Sequence, residues 1–161
     1  MTSPENTRQP GQAGALPQPP ASGQIHILLV DDDPTFRSTV QQLLKKLGYA
    51  VSVADGGRAA LETAARNKDI QLLIADLIMP GMTGVELAGK LRETDPRLGV
   101  LFTSGHLGML FTSGSPRKII APMGVPADSV NFLQKPFKLA EIDARIKTIL
   151  AQRNEKEKGD G

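Results

Sequence analysis

A chain of 161 residues, 40% apolar and 22% charged, is long enough to bury one ordinary core and still carry tails. A formal charge of only +2 without a basic stripe gives nucleic-acid binding no electrostatic support, and the absence of cysteine removes disulfides, thiolate catalysis and thiolate metal sites. No apolar run approaches the roughly 18 residues of a membrane span, and residues 1–24 lack the features of a signal peptide, so a cytoplasmic protein with no membrane partner is expected.

Residues 1–24 carry prolines at 4, 10, 17, 19 and 20 among Gly, Gln, Ser and Ala, a composition that buries too little apolar surface to order itself; a disordered extension is expected. Ile25 to Val30 reads as a first strand running into Asp31, Asp32, Asp33 and Pro34. Asp33 suits a helix cap and Pro34 a first turn, where its missing N–H costs little. Phe36, Val40, Leu43, Leu44 and Leu47 then form one helical face, which Gly48 ends. Tyr49 to Ala54 is a second strand, and Asp55-Gly-Gly57 turns into a helix bearing Ala60, Leu61, Ala64 and Ala65. Ile70 to Ala75 is a third strand, unbroken and apolar as expected of one buried on both faces. Thr83 with Glu86 fits a capping box for the helix bearing Val85, Leu87, Ala88 and Leu91. A strand near 98–103, a helix start at Ser115-Pro116, a strand over 130–133 and a helix from Lys138 to about Arg153 follow, with 153–161 as a charged flexible tail. Strands alternating with helices at this spacing predict a doubly wound parallel α/β sheet over residues 25–152.

Right-handed crossovers place every strand's carboxyl end on one edge. That edge collects Asp31 and Asp32 after strand one, Asp76 after strand three and Lys135 after strand five. Three consecutive acids can be only a helix cap, and a lysine before proline is often merely solvated. Together on one edge they point to chemistry: converging carboxylates favour a hard divalent cation such as Mg²⁺, and a carboxylate beside Mg²⁺ and lysine is equipped to attack a phosphoryl group.

Four motifs carry a resemblance: Ile27-Leu-Leu-Val-Asp-Asp-Asp-Pro34, Ala75-Asp-Leu-Ile-Met-Pro-Gly-Met-Thr-Gly84, Leu101-Phe-Thr-Ser-Gly105 and Phe132-Leu-Gln-Lys-Pro-Phe137. In this order they resemble the receiver domain of two-component response regulators, and in wording those of hybrid histidine kinases. The resemblance implies a flavodoxin-like (βα)5 fold with strand order 2-1-3-4-5. It implies that Asp76 accepts a phosphoryl group from a sensor or hybrid histidine kinase or a histidine phosphotransfer protein. Asp32 would ligate Mg²⁺ directly, Asp31 through water and Ile78 by its backbone carbonyl, with Asp76 at the metal as well. Lys135 would pair with the acyl phosphate across a cis Lys135–Pro136 bond, and a Ser or Thr after strand four would form the switch with Phe132. Such a chain is no enzyme beyond its own Mg²⁺-dependent phosphorylation and dephosphorylation. With no output domain expected after the last helix, it would signal by docking to a downstream protein.

Residues 97–105 and 106–114 match at seven of nine positions, as a tandem duplication would. Ser104 stands 28 residues past Asp76 and Ser113 stands 22 before Lys135, so each satisfies one of the two spacings that the resemblance implies. Pro96, at the usual distance before its strand, favours Ser104, which is taken as the switch and catalytic hydroxyl; Ser115-Pro116, at a natural helix-start distance, is the argument for Ser113. Two other functions compete. Asp31-Asp32-Asp33-Pro34-Thr35 also fits a haloacid-dehalogenase-like phosphatase with Asp31 as nucleophile and Asp33 as acid/base, though the further acids that family needs are not grouped here. The nine-residue excess is compatible with a phosphate-independent pseudo-receiver, against which Asp31, Asp32, Asp76 and Lys135 all being present argues.

Overall fold

The structure is a computed structural model and describes residues 23–105 and 131–159. Along the chain lie β1 (His26–Val30), α1 (Pro34–Lys46), β2 (Ala50–Ala54), α2 (Gly57–Arg66), β3 (Ile70–Asp76), α3 (Gly84–Thr94), β4 (Gly99–Ser104), β5 (Phe132–Gln134) and α4 (Leu139–Gly159). The strands pair in parallel in the order β2-β1-β3-β4-β5, the flavodoxin-like arrangement expected. The Pro-rich stretch up to residue 22, the helix start at Ser115-Pro116 and the second repeat copy with Ser113 lie outside the described residues.

Side-chain alternation builds two cores, one on each face of the sheet. Leu28, Val30, Leu73, Ala75, Val100 and Phe102 meet Ala60 of α2 and Leu87 and Ala88 of α3. Ile27, Leu29, Leu72, Ile74 and Leu101 meet Val40 and Leu44 of α1 and Ile142, Ile146 and Ile149 of α4. Each large apolar side chain so buried contributes about 1.5–3 kcal/mol, which is why β1 and β3 have no polar position between their ends other than Gln71. At the opposite edge from the acids, buried His26 ties three segments together: its Nδ1 lies 3.0 Å from Asp69 Oδ2 and its Nε2 2.7 Å from Ser52 Oγ.

The helix starts follow local chemistry. Asp33 accepts from the N–H groups of Thr35 and Phe36, at 3.0 and 3.3 Å, with Pro34 in the first turn of α1. Thr83 Oγ accepts from the Glu86 N–H at 3.1 Å. Gly48, at φ +93°, takes the left-handed conformation that closes α1. Two expectations differ from the structure. The last helix continues past Arg153 to Gly159, because residues 154–158 contain no strong helix breaker and Gly159 is the first. The fifth strand begins at Phe132 and includes Gln134, one position beyond the expected end, where it pairs with Ser104.

β4 is built from the first repeat copy, and all six of its residues are buried. Gly99 explains part of the fit: a Cβ there would meet Ile149 Cγ2 at 2.8 Å and Leu72 Cδ1 at 3.0 Å.

Candidate functional site

The register of the sheet assembles the site. Val30 pairs with Ala75, so Asp31 and Asp76 emerge side by side from the two central strands. Ser104 pairs with Gln134, and the next N–H, that of Lys135, donates to the Ser104 carbonyl at 3.0 Å. Pairing continues one step past the strands through the Asp31 N–H to the Ala54 carbonyl (3.2 Å) and the Leu77 N–H to the Thr103 carbonyl (2.9 Å), so the functional side chains stand on well-held backbone. Gly84 admits the first turn of α3 against this edge: a methyl group there would overlap the Asp76 carbonyl oxygen.

One carboxylate oxygen from each of Asp31, Asp32 and Asp76 lies within 4.8 Å of the others. Asp31 and Asp76 are each 1% exposed, whereas Asp32 is open to solvent. Lys135 Nζ donates to Asp31 Oδ2 at 2.6 Å and to Asp76 Oδ2 at 3.2 Å. The remaining carboxylate oxygens of the buried pair accept backbone N–H groups: Asp33 to Asp31 Oδ1 at 2.9 Å, and Ile78 to Asp76 Oδ1 at 3.1 Å. Burial pushes the Asp76 carboxyl above the ordinary range; the Ile78 N–H and the Lys135 ammonium pull the other way, and the Asp31 charge adds to the rise. Three oxygen donors without His or Cys fit a hard cation of the Mg²⁺ type better than zinc or copper.

Asp31, Asp32, Asp76 and Lys135 are therefore together. Ile78 sits at the rim with its side chain 39% exposed. Ser104 is wholly buried at the end of β4, and its hydroxyl has no hydrogen-bond partner among the described residues. Phe132 is half-buried against the core on the α2/α3 face. The Lys135–Pro136 peptide is cis. Asp33 is drawn away as the α1 cap, so the acid/base partner that a phosphatase would require of it is already engaged. One neighbour escaped the sequence reading. Phe36, assigned to the inward face of α1, carries its ring under the Lys135 ammonium, 3.9 Å from ring centroid to Nζ. Its distance in sequence from Lys135 leaves no local signal for that contact.

A family model described as the response regulator receiver domain matches residues 27–147. The chain belongs to the response regulator receiver domain family. Receiver domains serve two-component signal transduction as phosphoacceptors, bind Mg²⁺ at an acidic pocket, and interact with histidine kinases or phosphotransfer proteins and with downstream effectors. Membership sets aside the phosphatase reading. This receiver is 33% identical over 124 residues to the response regulator receiver protein CpdR of Brucella abortus, an alignment covering 77% of this chain and 95% of that one. It is 35% identical over 126 residues to the response regulator MprA of Mycobacterium leprae, covering 78% of this chain but only 51% of MprA. The chain thus spans about half the length of MprA. A response regulator receiver protein from Sinorhizobium medicae superposes with a TM-score of 0.69 at 26% identity, covering 83% of this chain and 99% of that one. Relatives include a transcriptional regulatory protein, DctD of Pseudomonas aeruginosa, so the expectation of no nucleic-acid partner rests on this chain's own charge alone. No helix among the described residues is long and apolar enough to cross a membrane.

Proposed function

We propose that Asp76 takes a phosphoryl group from a phosphohistidine on a sensor or hybrid histidine kinase or a phosphotransfer protein, and that the receiver unit, residues 25–152, then signals by docking to a partner protein in the cytoplasm. The observation that carries this reading is the meeting of three carboxylates within 4.8 Å, with Lys135 Nζ 3.2 Å from Asp76. An Asp76 oxygen attacks phosphorus in line; the phosphorus–nitrogen bond to the donor breaks as the phosphorus–oxygen bond to Asp76 forms. Lys135, already beside Asp76, follows the charge onto the phosphoryl oxygens. Asp32 directly, Asp31 through water, Asp76 and the Ile78 carbonyl would hold Mg²⁺, which when bound screens the charge of the acids and the phosphoryl oxygens. Ser104 offers a buried hydroxyl that lacks a partner among the described residues, a state that costs about 1–3 kcal/mol and that a phosphoryl oxygen would relieve. Its movement toward that oxygen would open space for Phe132, and the two together form the switch.

Acetyl phosphate with Mg²⁺ followed by intact-mass measurement tests the reading. One phosphate should add to wild type and none to Asp76→Asn. Labelling that persists in Asp76→Asn and disappears in Asp31→Asn would overturn it.

A further inference from the structure

We infer that Phe36 is a positioning residue for phosphoryl transfer, its ring face holding the Lys135 ammonium in place while both carboxylate partners of that ammonium change role. The inference rests on the phosphoacceptor reading of Asp76 and extends it to a residue outside the acid cluster.

The geometry begins with the three donors of an ammonium group. Two polar partners of Lys135 are Asp31 Oδ2 at 2.6 Å and Asp76 Oδ2 at 3.2 Å. A further side is taken by the Phe36 ring, whose negative face lies 3.9 Å from Nζ at its centroid. The lysine side chain is only 15% exposed, so this attraction acts with little competing water. Gly105 borders the stem: a Cβ there would come within 3.3 Å of Lys135 Cδ. The ring itself is braced by Phe137, in a T-shaped contact at 5.7 Å and 86°. Lys135-Pro136-Phe137 therefore grips Phe36 twice, once with a cation over its face and once with a perpendicular ring.

The two carboxylates cannot be constant partners. Asp31 turns to Mg²⁺ through water in the proposed site, and Asp76 becomes an acyl phosphate. The phenyl ring neither titrates, nor binds Mg²⁺, nor is phosphorylated. Among the described residues it is the partner of Lys135 that persists from the free site to the phosphorylated one, and it keeps the ammonium at the height of the incoming phosphoryl group. A purely packing role for Phe36 would need only its volume, whereas this role needs the electron density of its face.

Replacing Phe36 by phenylalanines with one, two and three ring fluorines, in the full chain, separates the two, because fluorine drains the ring face while nearly preserving shape. Two readouts are taken at matched thermal stability: the acetyl phosphate labelling rate with Mg²⁺, and the proton shift of the Lys135 ε-methylene. The rate should fall step by step with fluorination, reaching roughly five- to thirtyfold for three fluorines. Phe36→Tyr should keep the rate and Phe36→Leu should lose as much as the trifluoro ring. The ε-methylene protons should be shifted upfield in wild type and released in Phe36→Leu. A flat rate across the series, or unshifted ε-methylene protons in wild type, overturns the inference. Wild type that takes up no phosphate at all instead overturns the phosphoacceptor reading, and this role with it.

Discussion

Mg²⁺ should stabilise this protein, because the acids of its site outnumber the ammonium that faces them. Asp31, Asp32 and Asp76 face one ammonium, Lys135, so a site with all three acids ionised carries two uncompensated negative charges. For the buried pair Asp31 and Asp76, with oxygens within 4.8 Å, the repulsion is about 3.5 kcal/mol at an effective dielectric of about 20. Lys135 offsets part of it, and a divalent cation matches the remainder in charge. A ligand that binds only the folded state, at a hundredfold excess over its Kd, adds about 2.7 kcal/mol. For a folded unit of this size, near 4 °C per kcal/mol, that is a rise in Tm of about 10 °C. Circular-dichroism melts in EDTA and in saturating Mg²⁺ measure it. Asp32→Ala is the appropriate control, because Asp32 is exposed, whereas replacing Asp31 would also release Lys135 and the Asp33 N–H. No rise in wild type, or an equal rise in Asp32→Ala, would refute the reasoning.

Three further outcomes are expected. The raised carboxyl of Asp76 means that the native state holds its proton to higher pH than the unfolded chain, so its contribution is fully present below the ordinary carboxylate range and is lost as pH rises through the raised value. In EDTA, Asp76→Asn should therefore gain stability relative to wild type as pH climbs from about 4 toward neutrality, and a constant difference across denaturant titrations would contradict this. Tyr49, the only tyrosine, donates to Asp143 Oδ1 at 3.2 Å, and burial foremost, then Asp143, pushes its hydroxyl to about 12; near-ultraviolet absorbance should follow that midpoint, and Asp143→Asn should bring it down. Ser104→Ala should leave phosphate uptake at Asp76 intact but block the amide shifts of Phe132 under beryllium fluoride, while Ser113→Ala changes stability by no more than about 0.5 kcal/mol; a block by Ser113→Ala alone would assign the switch to the second copy.

The elements of this protein were legible because their causes are local. Apolar runs ending in acids, the Asp33–Pro34 and Thr83 helix starts and the closing Gly48 each lie within one stretch of chain, and the structure realises each of them. The sheet order was legible through the resemblance, and the grouping of strand ends through the handedness of crossovers. The length of α4 was misjudged because a run of charged residues is compatible with helix or coil until a breaker occurs. What tertiary structure alone decided is contact between distant residues. Lys135 meets Asp31 across 104 positions and Asp76 across 59, and it rests on Phe36, which the helical pattern had marked only as core. The choice of repeat copy belongs here too. Both copies offer glycine where Gly99 packs on Ile149 and Leu72, and both end in Thr-Ser-Gly, so their own composition does not separate them and only the place of Pro96 speaks for the first. β4 takes its residues from the first copy, in register with β3 and β5. That pairing is a property of the assembled sheet, because a strand's neighbours, and not its own composition, set its register.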